Sequence, residues 1–156
     1  MVVQVAMTDI KVIVFQLKGK EYAIPVNQVR SIEKVQHITR VPKTAPFVKG
    51  VINLRGVVTP IIDLRSRFEL EECEYSESTR IIIVALNDME VGLIVDAAND
   101  VIDIPSQNIE PQPEVVGAVE ADYINGVAKI DKRLLILINL EKVLNPQGLK
   151  EVRGDE

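Results

Sequence analysis

GVINLRGVVTPIIDLRSRF, running from Gly50 to Phe68, recurs without a gap as GVAKIDKRLLILINLEKVL from Gly126 to Leu144, an offset of 126 − 50 = 76. Each copy begins Gly-Val, passes through an apolar run and meets a residue suited to cap a helical turn: Asp63 before Leu64 in one, Asn139 before Leu140 in the other. Upstream, FQLKGKEYAIPVNQVRSI from Phe15 aligns with VALNDMEVGLIVDAANDV from Val84, an offset of 84 − 15 = 69 that brings Glu21-Tyr22-Ala23-Ile24 onto Glu90-Val91-Gly92-Leu93. Two collinear matches whose offsets differ by only seven point to a tandem duplication, and a repeated unit constrains architecture more firmly than local propensity does.

Composition agrees with a duplicated β domain. The chain has 156 residues, within the roughly 100–200 expected of one domain, and 47% of them are hydrophobic, too many for disorder. Val (23) and Ile (19) outnumber Leu (12) and Ala (9), which favours strands over helices. With 18 basic and 23 acidic residues the net charge is −5, the wrong sign for binding nucleic acid through its phosphates. One Cys (Cys73) excludes an internal disulfide and fits a reducing compartment, and one His (His37) excludes a multi-His metal site. The opening MVVQVAM is too short for a membrane span and lacks the basic flank of a signal peptide. These features predict a cytoplasmic protein with no direct membrane contact.

Period-2 patterning and turn residues give the elements. Lys11–Leu17 and Glu21–Pro25 read as a hairpin about Lys18-Gly19-Lys20, followed by a helical turn at 26–30 and a strand at 31–35. Val48–Ile52 and Val57–Ile62 form a second hairpin about Asn53-Leu54-Arg55-Gly56, with Pro60 implying a sheet edge or a bulge. Glu69–Ser78, with five Glu, reads as a solvated linker. The second copy repeats the scheme with strands at 80–86, 89–95, 101–104, 124–130 and 134–138, a turn at Ala97-Ala98 and a short helix at 139–144. The expected fold is all-β with short helices: two SH3-like five-stranded barrels packed together along an apolar seam. The expected organisation is a flexible arm at 1–9, a first barrel at 10–76, a second at 77–145 and a flexible tail at 146–156, with the N-terminal strand free to pair across the two.

No catalytic constellation emerges. His37 lies among Gln36, Ile38 and Thr39 with no nucleophile motif anywhere in the chain. Cys73 sits in a run of Glu that disfavours its thiolate. Asp96, Asp100 and Asp103 match no calcium-loop pattern and read as turn and strand residues. The single glycines form no phosphate-binding loop. The reading is therefore no catalytic residues, no metal and no cofactor, which favours a binding module. In such a module Arg55, presented from a short turn with five donors, is either a recognition residue or a solvated surface side chain.

The stretch FVKGVINLRGVVTPIIDLRSRF at Phe47–Phe68 resembles the characteristic segment of the CheW family, the coupling proteins of bacterial chemotaxis. VFQLKGKEYAIPVNQVRSIEKV, VGLIVDAANDVIDI and INGVAKIDKRLLILINLEKVL are similar to the family's other segments, in order, so the resemblance covers residues 10–145. It implies the two-barrel fold and a non-catalytic scaffold bridging the cytoplasmic hairpin tip of chemoreceptors to the regulatory domain of the histidine kinase CheA. Such scaffolds work in membrane-associated arrays, where copies of the protein itself can also form rings. Carried over by position, the resemblance implies receptor contacts at Val29, Gly50, Asn53, Leu54, Arg55, Gly56 and Val101. It implies kinase contacts at Val91, Gly92, Asp96, Ala97 and Ala98. A CheV-like coupling module, or the regulatory module of another signalling kinase, is the nearest alternative reading.

Overall fold

The computed structural model describes residues 9–71, 73–111 and 123–144. The arm expected at 1–9, apart from Asp9, and the tail expected at 146–156 lie outside the described residues. The strands are β1 (Asp9–Leu17), β2 (Lys20–Pro25), β3 (Val29–Lys34), β4 (Val48–Leu54), β5 (Val57–Asp63), β6 (Arg80–Leu86), β7 (Met89–Val95), β8 (Ala97–Pro105), β9 (Ile109–Glu110), β10 (Ile124–Ile130) and β11 (Arg133–Ile138). Two four-residue helices follow β5 and β11: α1 (Leu64–Arg67) and α2 (Leu140–Val143). Asp63 accepts from the N–H groups of Arg65 and Ser66, and Asn139 accepts from that of Lys142, so both predicted caps close the orphan donors of a first turn. Lys18 and Gly19 both have positive φ, as a tight hairpin turn requires.

The strands form two sheets, ordered β3-β6-β7-β5-β4 and β8-β1-β2-β11-β10-β9. Each sheet closes on itself. Thr39, downstream of β3, bridges to Val51 of β4, and β9, continuing from β8, pairs with β10. This is the mostly-β, two-barrel architecture the duplication predicts, with one correction. The barrels are not the contiguous halves 10–76 and 77–145: the β1–β2 hairpin belongs to the barrel of β8–β11, and the β6–β7 hairpin to that of β3–β5. Both hairpins have traded places.

The register shows the exchange to be reciprocal. β5 runs parallel to β7 with Ile61 opposite Gly92, and β11 runs parallel to β2 with Leu137 opposite Ala23; 61 + 76 = 137 and 92 − 69 = 23. Val29 opposite Val84 in one barrel likewise corresponds to Ala98 opposite Phe15 in the other. Burial explains the trade. Val12 and Val14 of β1 face the small core of their own barrel with Ile104, Ala128 and Leu135, whereas Ile13, Phe15 and Leu17 face a larger core between the barrels. β6 does the same, with Ile81 and Ile83 inside its barrel and Ile82 and Val84 between the two. A strand buried on both faces reads as a continuous apolar run, hence the Val and Ile excess.

The central core also holds Ile62, Leu64, Phe68, Val91, Leu93, Leu140 and Leu144. A line of rings crosses it: Phe15–Tyr22, Tyr22–Phe68 and Phe68–Tyr123, with centroids 5.7, 5.8 and 5.3 Å apart. Each such pair adds about 1 kcal/mol beyond the area it buries.

Two local expectations change. Pro60 lies on an interior strand, and the bulge in its hairpin falls between Val48 and Gly50. Its partner Val51 turns both backbone groups to Thr39, at 2.9 and 2.8 Å, so Val51 and Pro60 form a non-hydrogen-bonded pair. The proline nitrogen therefore faces the β7 side, where pairing begins only at Ile61. Ala97 and Ala98 form no turn either. Asp96 alone bends the chain, donating its N–H to Gln16 O at 3.0 Å, and β8 begins at Ala97.

Gly50 and Gly126 mark the same bulge in the two barrels. A Cβ on Gly50, whose φ is 142°, would lie 2.0 Å from Thr39 O, and one on Gly126 would lie 2.6 Å from Glu110 O. Gly50→Ala and Gly126→Ala should each cost at least ~2 kcal/mol, because a fixed backbone carbonyl must move. Gly19→Ala, with no atom within 4 Å of the added carbon, should cost only about 1 kcal/mol of backbone strain. Denaturant midpoints of the three variants check the ranking; equal losses would contradict the close-approach argument.

Candidate functional site

The seam between the barrels is flanked by β3 on one side and β8 on the other, with β6 touching β8 across it. A register shift in β3 between Val29 and Ser31 brings Val29 opposite Val84 and Ile32 opposite Ile82, both residues of the central core. The corresponding shift opposite β8 brings Ala98 against Phe15 and Val101 against Ile13, again central-core residues. Two residues three apart thus share a face on each strand. Val29 is half-buried against the core, while Val101 is 57% exposed and Ile32 40%. Ile32 was missed from the sequence, although the offset of 69 carries it onto Val101.

The β4–β5 turn stands beside β3. Asn53 Oδ1 accepts from the N–H of Gly56 at 2.8 Å, and Arg55 and Gly56 both have positive φ, giving a closed two-residue turn. Arg55, with its side chain 70% exposed, reaches Glu33 of β3 at 3.4 Å. At this length the bond holds weakly, and although Glu33 is mostly covered, the exposed guanidinium of Arg55 stays available to a partner. Of the residues expected here, Val29, Asn53, Arg55, Gly56 and Val101 keep accessible surface. Gly50 and Leu54 are buried and act from beneath, Gly50 at the bulge and Leu54 in the core of its barrel.

The second expected set changes more. Val91 is fully buried in the central core, and Gly92 is buried where β7 meets β5. A Cβ on Gly92 would lie 2.6 Å from Ile61 Cδ1 and 2.7 Å from Ile81 Cγ2. Neither residue has surface to offer a partner; the position carried over from the family resemblance falls on a strand buried on both faces. Ala97 and Ala98 are half-buried at the start of β8. Asp96 joins four segments. Its carboxylate takes Arg65 Nε at 2.8 Å, Arg65 Nη2 at 2.6 Å and the Lys18 N–H at 2.8 Å, and its carbonyl accepts from Ser78 Oγ at 3.0 Å. Asp100 and Asp103 pair separately with Arg133 and Lys11, so the three aspartates serve three different cations. His37 and Cys73 are exposed. No helix among the described residues is long and apolar enough to cross a membrane.

Burial pushes the Asp96 carboxyl up, but the Arg65 hydrogen bonds, the Lys18 N–H and the Arg65 charge outweigh it and hold the group below its usual range. The same hydrogen bond, against burial, raises Arg65. A carboxylate depressed in the folded state contributes stability that is present above its unfolded value, about 3.9, and is lost as pH falls through the folded one. Asp96→Asn should therefore be less stable than wild type at pH 7, by about 2 kcal/mol. That gap should close progressively below about pH 4. Denaturation at pH 7 and pH 3 checks this, and a gap that persisted in acid would contradict it.

The comparisons extend over the whole described fold. A profile described as CheW-like domain matches residues 11–147. The chain is 50% identical to the chemotaxis protein CheW of Bacillus subtilis over 149 residues, 96% of each chain. It is 36% identical to that of Klebsiella aerogenes, covering 88% of this chain and 82% of the relative. Its fold matches the crystal structure of the scaffolding protein TtCheW from Thermoanaerobacter tengcongensis with a TM-score of 0.83 at 37% identity, covering 90% of this chain and 96% of the other. With two barrels built by exchanged hairpins, matched along nearly their full length, the chain belongs to the CheW-like domain family.

Proposed function

We propose that this chain is a non-catalytic chemotaxis adaptor coupling the helical hairpin tip of a chemoreceptor to the regulatory domain of the histidine kinase CheA. It would reach the membrane-associated array through the receptor. One observation carries the receptor side of the reading: Val29 and Ile32 of β3 and Val101 of β8 each stand opposite residues of the core between the barrels, on the same side of their strands, and an arginine on a closed turn lies beside β3. A receptor tip is helical, and an apolar-walled groove with a cation at its edge suits an amphipathic helix bearing a carboxylate. Val29, Ile32 and Val101 supply the apolar contact. Arg55 supplies register, held by Asn53 and Gly56 and exchanging its weak bond to Glu33 for one to the receptor.

The kinase-facing contact falls to the half-buried Asp96–Ala98 junction, with Val91 and Gly92 supporting it from the core. CheA is itself expected to carry a two-barrel domain of this plan, so the meeting of like barrels offers quasi-symmetric apolar contact.

Co-sedimentation with a receptor cytoplasmic fragment and CheA, read together with kinase autophosphorylation, tests the proposal. Wild type should form a ternary complex in which receptor changes kinase activity. Arg55→Ala should lose receptor affinity at least tenfold. Its melting point should fall only slightly and its kinase binding stay unchanged, because a pair this long, with one partner exposed, contributes about 1 kcal/mol or less to stability. Undiminished receptor binding by that variant would overturn the groove, and a wild type that bound kinase but never receptor would overturn the coupling role.

A further inference from the structure

Arg67, in the last turn of α1, takes part in none of the contacts assigned above, yet it touches both halves of the duplication. Its guanidinium carbon lies 4.4 Å from the centroid of the Phe47 ring and 4.8 Å from that of Tyr123. Those two aromatics are counterparts under the offset of 76, since 47 + 76 = 123. Their backbones also act alike, for Phe47 O accepts from the Asp63 N–H at 2.9 Å and Tyr123 O accepts from the Asn139 N–H at 2.7 Å. Arg67 Nε donates to Val143 O at 2.9 Å and Nη2 to Lys142 O at 3.2 Å, at the C-terminal end of α2. Val143 is the counterpart of Arg67 itself, since 67 + 76 = 143.

An arginine that bonds its own counterpart and lies between a pair of counterpart rings sits on the pseudo-two-fold axis relating the barrels. Only one guanidinium fits there. The duplication therefore has to be asymmetric at this position, cation in one copy and valine in the other. The guanidinium lies over both rings while two of its nitrogens donate to carbonyls, a combination that arginine's planar fork supplies and lysine's single ammonium does not.

The adjacent Phe68 stacks on Tyr123 and meets Tyr22 at a tilt, and Tyr22 stacks on Phe15, which lies opposite Ala98 of β8. Val29 of β3 packs on the same core cluster. The two walls of the seam groove thus rest on a core that Arg67 locks from α1 to α2.

We infer that Arg67 is a positioning residue: by clamping α1 to α2 on the pseudo-two-fold axis it sets the angle between the barrels, and with it the width of the groove between β3 and β8. This inference rests on the reading of that groove as the receptor site. It predicts that Arg67 affects receptor binding without touching receptor.

The test uses the full chain with Cys73→Ser and spin labels at exposed Arg30 of β3 and Asp103 of β8, each changed to Cys. Distance distributions are measured by pulsed electron resonance beside receptor-fragment affinity. With Arg67 present, a single narrow distance is expected. Arg67→Met, which keeps the aliphatic stem but removes the donors, should broaden or shift it and weaken receptor binding five- to tenfold. Arg67→Lys should restore neither fully, and amide spectra should show both barrels folded in each variant. An unchanged distance in Arg67→Met, or a changed distance with undiminished receptor affinity, would overturn the inference. A wild type that bound no receptor while its distance still depended on Arg67 would overturn only the groove's assignment.

Discussion

The apolar core between the barrels is the interaction on which the rest of the structure depends. Neither barrel can complete its sheet from its own half of the chain, because each needs the other half's hairpin. Each hairpin in turn buries two faces, one inside the barrel it completes and one in the seam. Removing a hairpin from its place would expose both faces at once, and at about 25 cal/mol per Å² the apolar area involved exceeds the whole margin of stability of an ordinary domain. The two barrels therefore make one cooperative unit with three cores, the largest of which belongs to neither barrel alone.

That arrangement also gives the site its form. On either side of the seam stand the equivalent strands β3 and β8, which carry residues related by the same offset of 69, and the proposed receptor groove lies between them. Rigid strands and a capped hairpin turn hold those residues, which suits recognition of a partner's helix better than a flexible loop would. On the proposed reading, function enters through departures from the symmetry. Arg55 has Asp131 as its counterpart at the offset of 76, and Arg67 has Val143. Both arginines stand where the second copy has something else, one facing outward and one inward.

Much of this was legible in the residues. The match between Gly50–Phe68 and Gly126–Leu144 implied two like barrels, the caps at Asp63 and Asn139 located both short helices, and Lys18-Gly19 announced its turn. The residues allowed the N-terminal strand to pair across the two halves, but not the reciprocal exchange of both whole hairpins, because such a trade leaves the linear repeat unchanged; the parallel pairings of β2 with β11 and β7 with β5 reveal it. Val91 and Gly92 were misplaced for a different reason. The apolar run Val91–Val95 is the mark of a strand covered on both faces, and carrying the contact over by position overrode it. Ile32 hid because a register shift, invisible in sequence, turns it onto the face of Val29. Arg67 could have been suspected from the offsets alone, as a lone cation opposite Val143.

The measurement that tests this account most directly is equilibrium unfolding in denaturant followed at single amides by NMR, comparing Ile52 and Ile61 of one barrel with Ala128 and Leu135 of the other. If the exchanged hairpins and the shared core bind the barrels into one unit, all four probes should lose their native signals at a common midpoint, with a single slope reflecting the surface of the entire molecule. Separate midpoints for the two barrels would show that each stands on its own core, and would contradict the account.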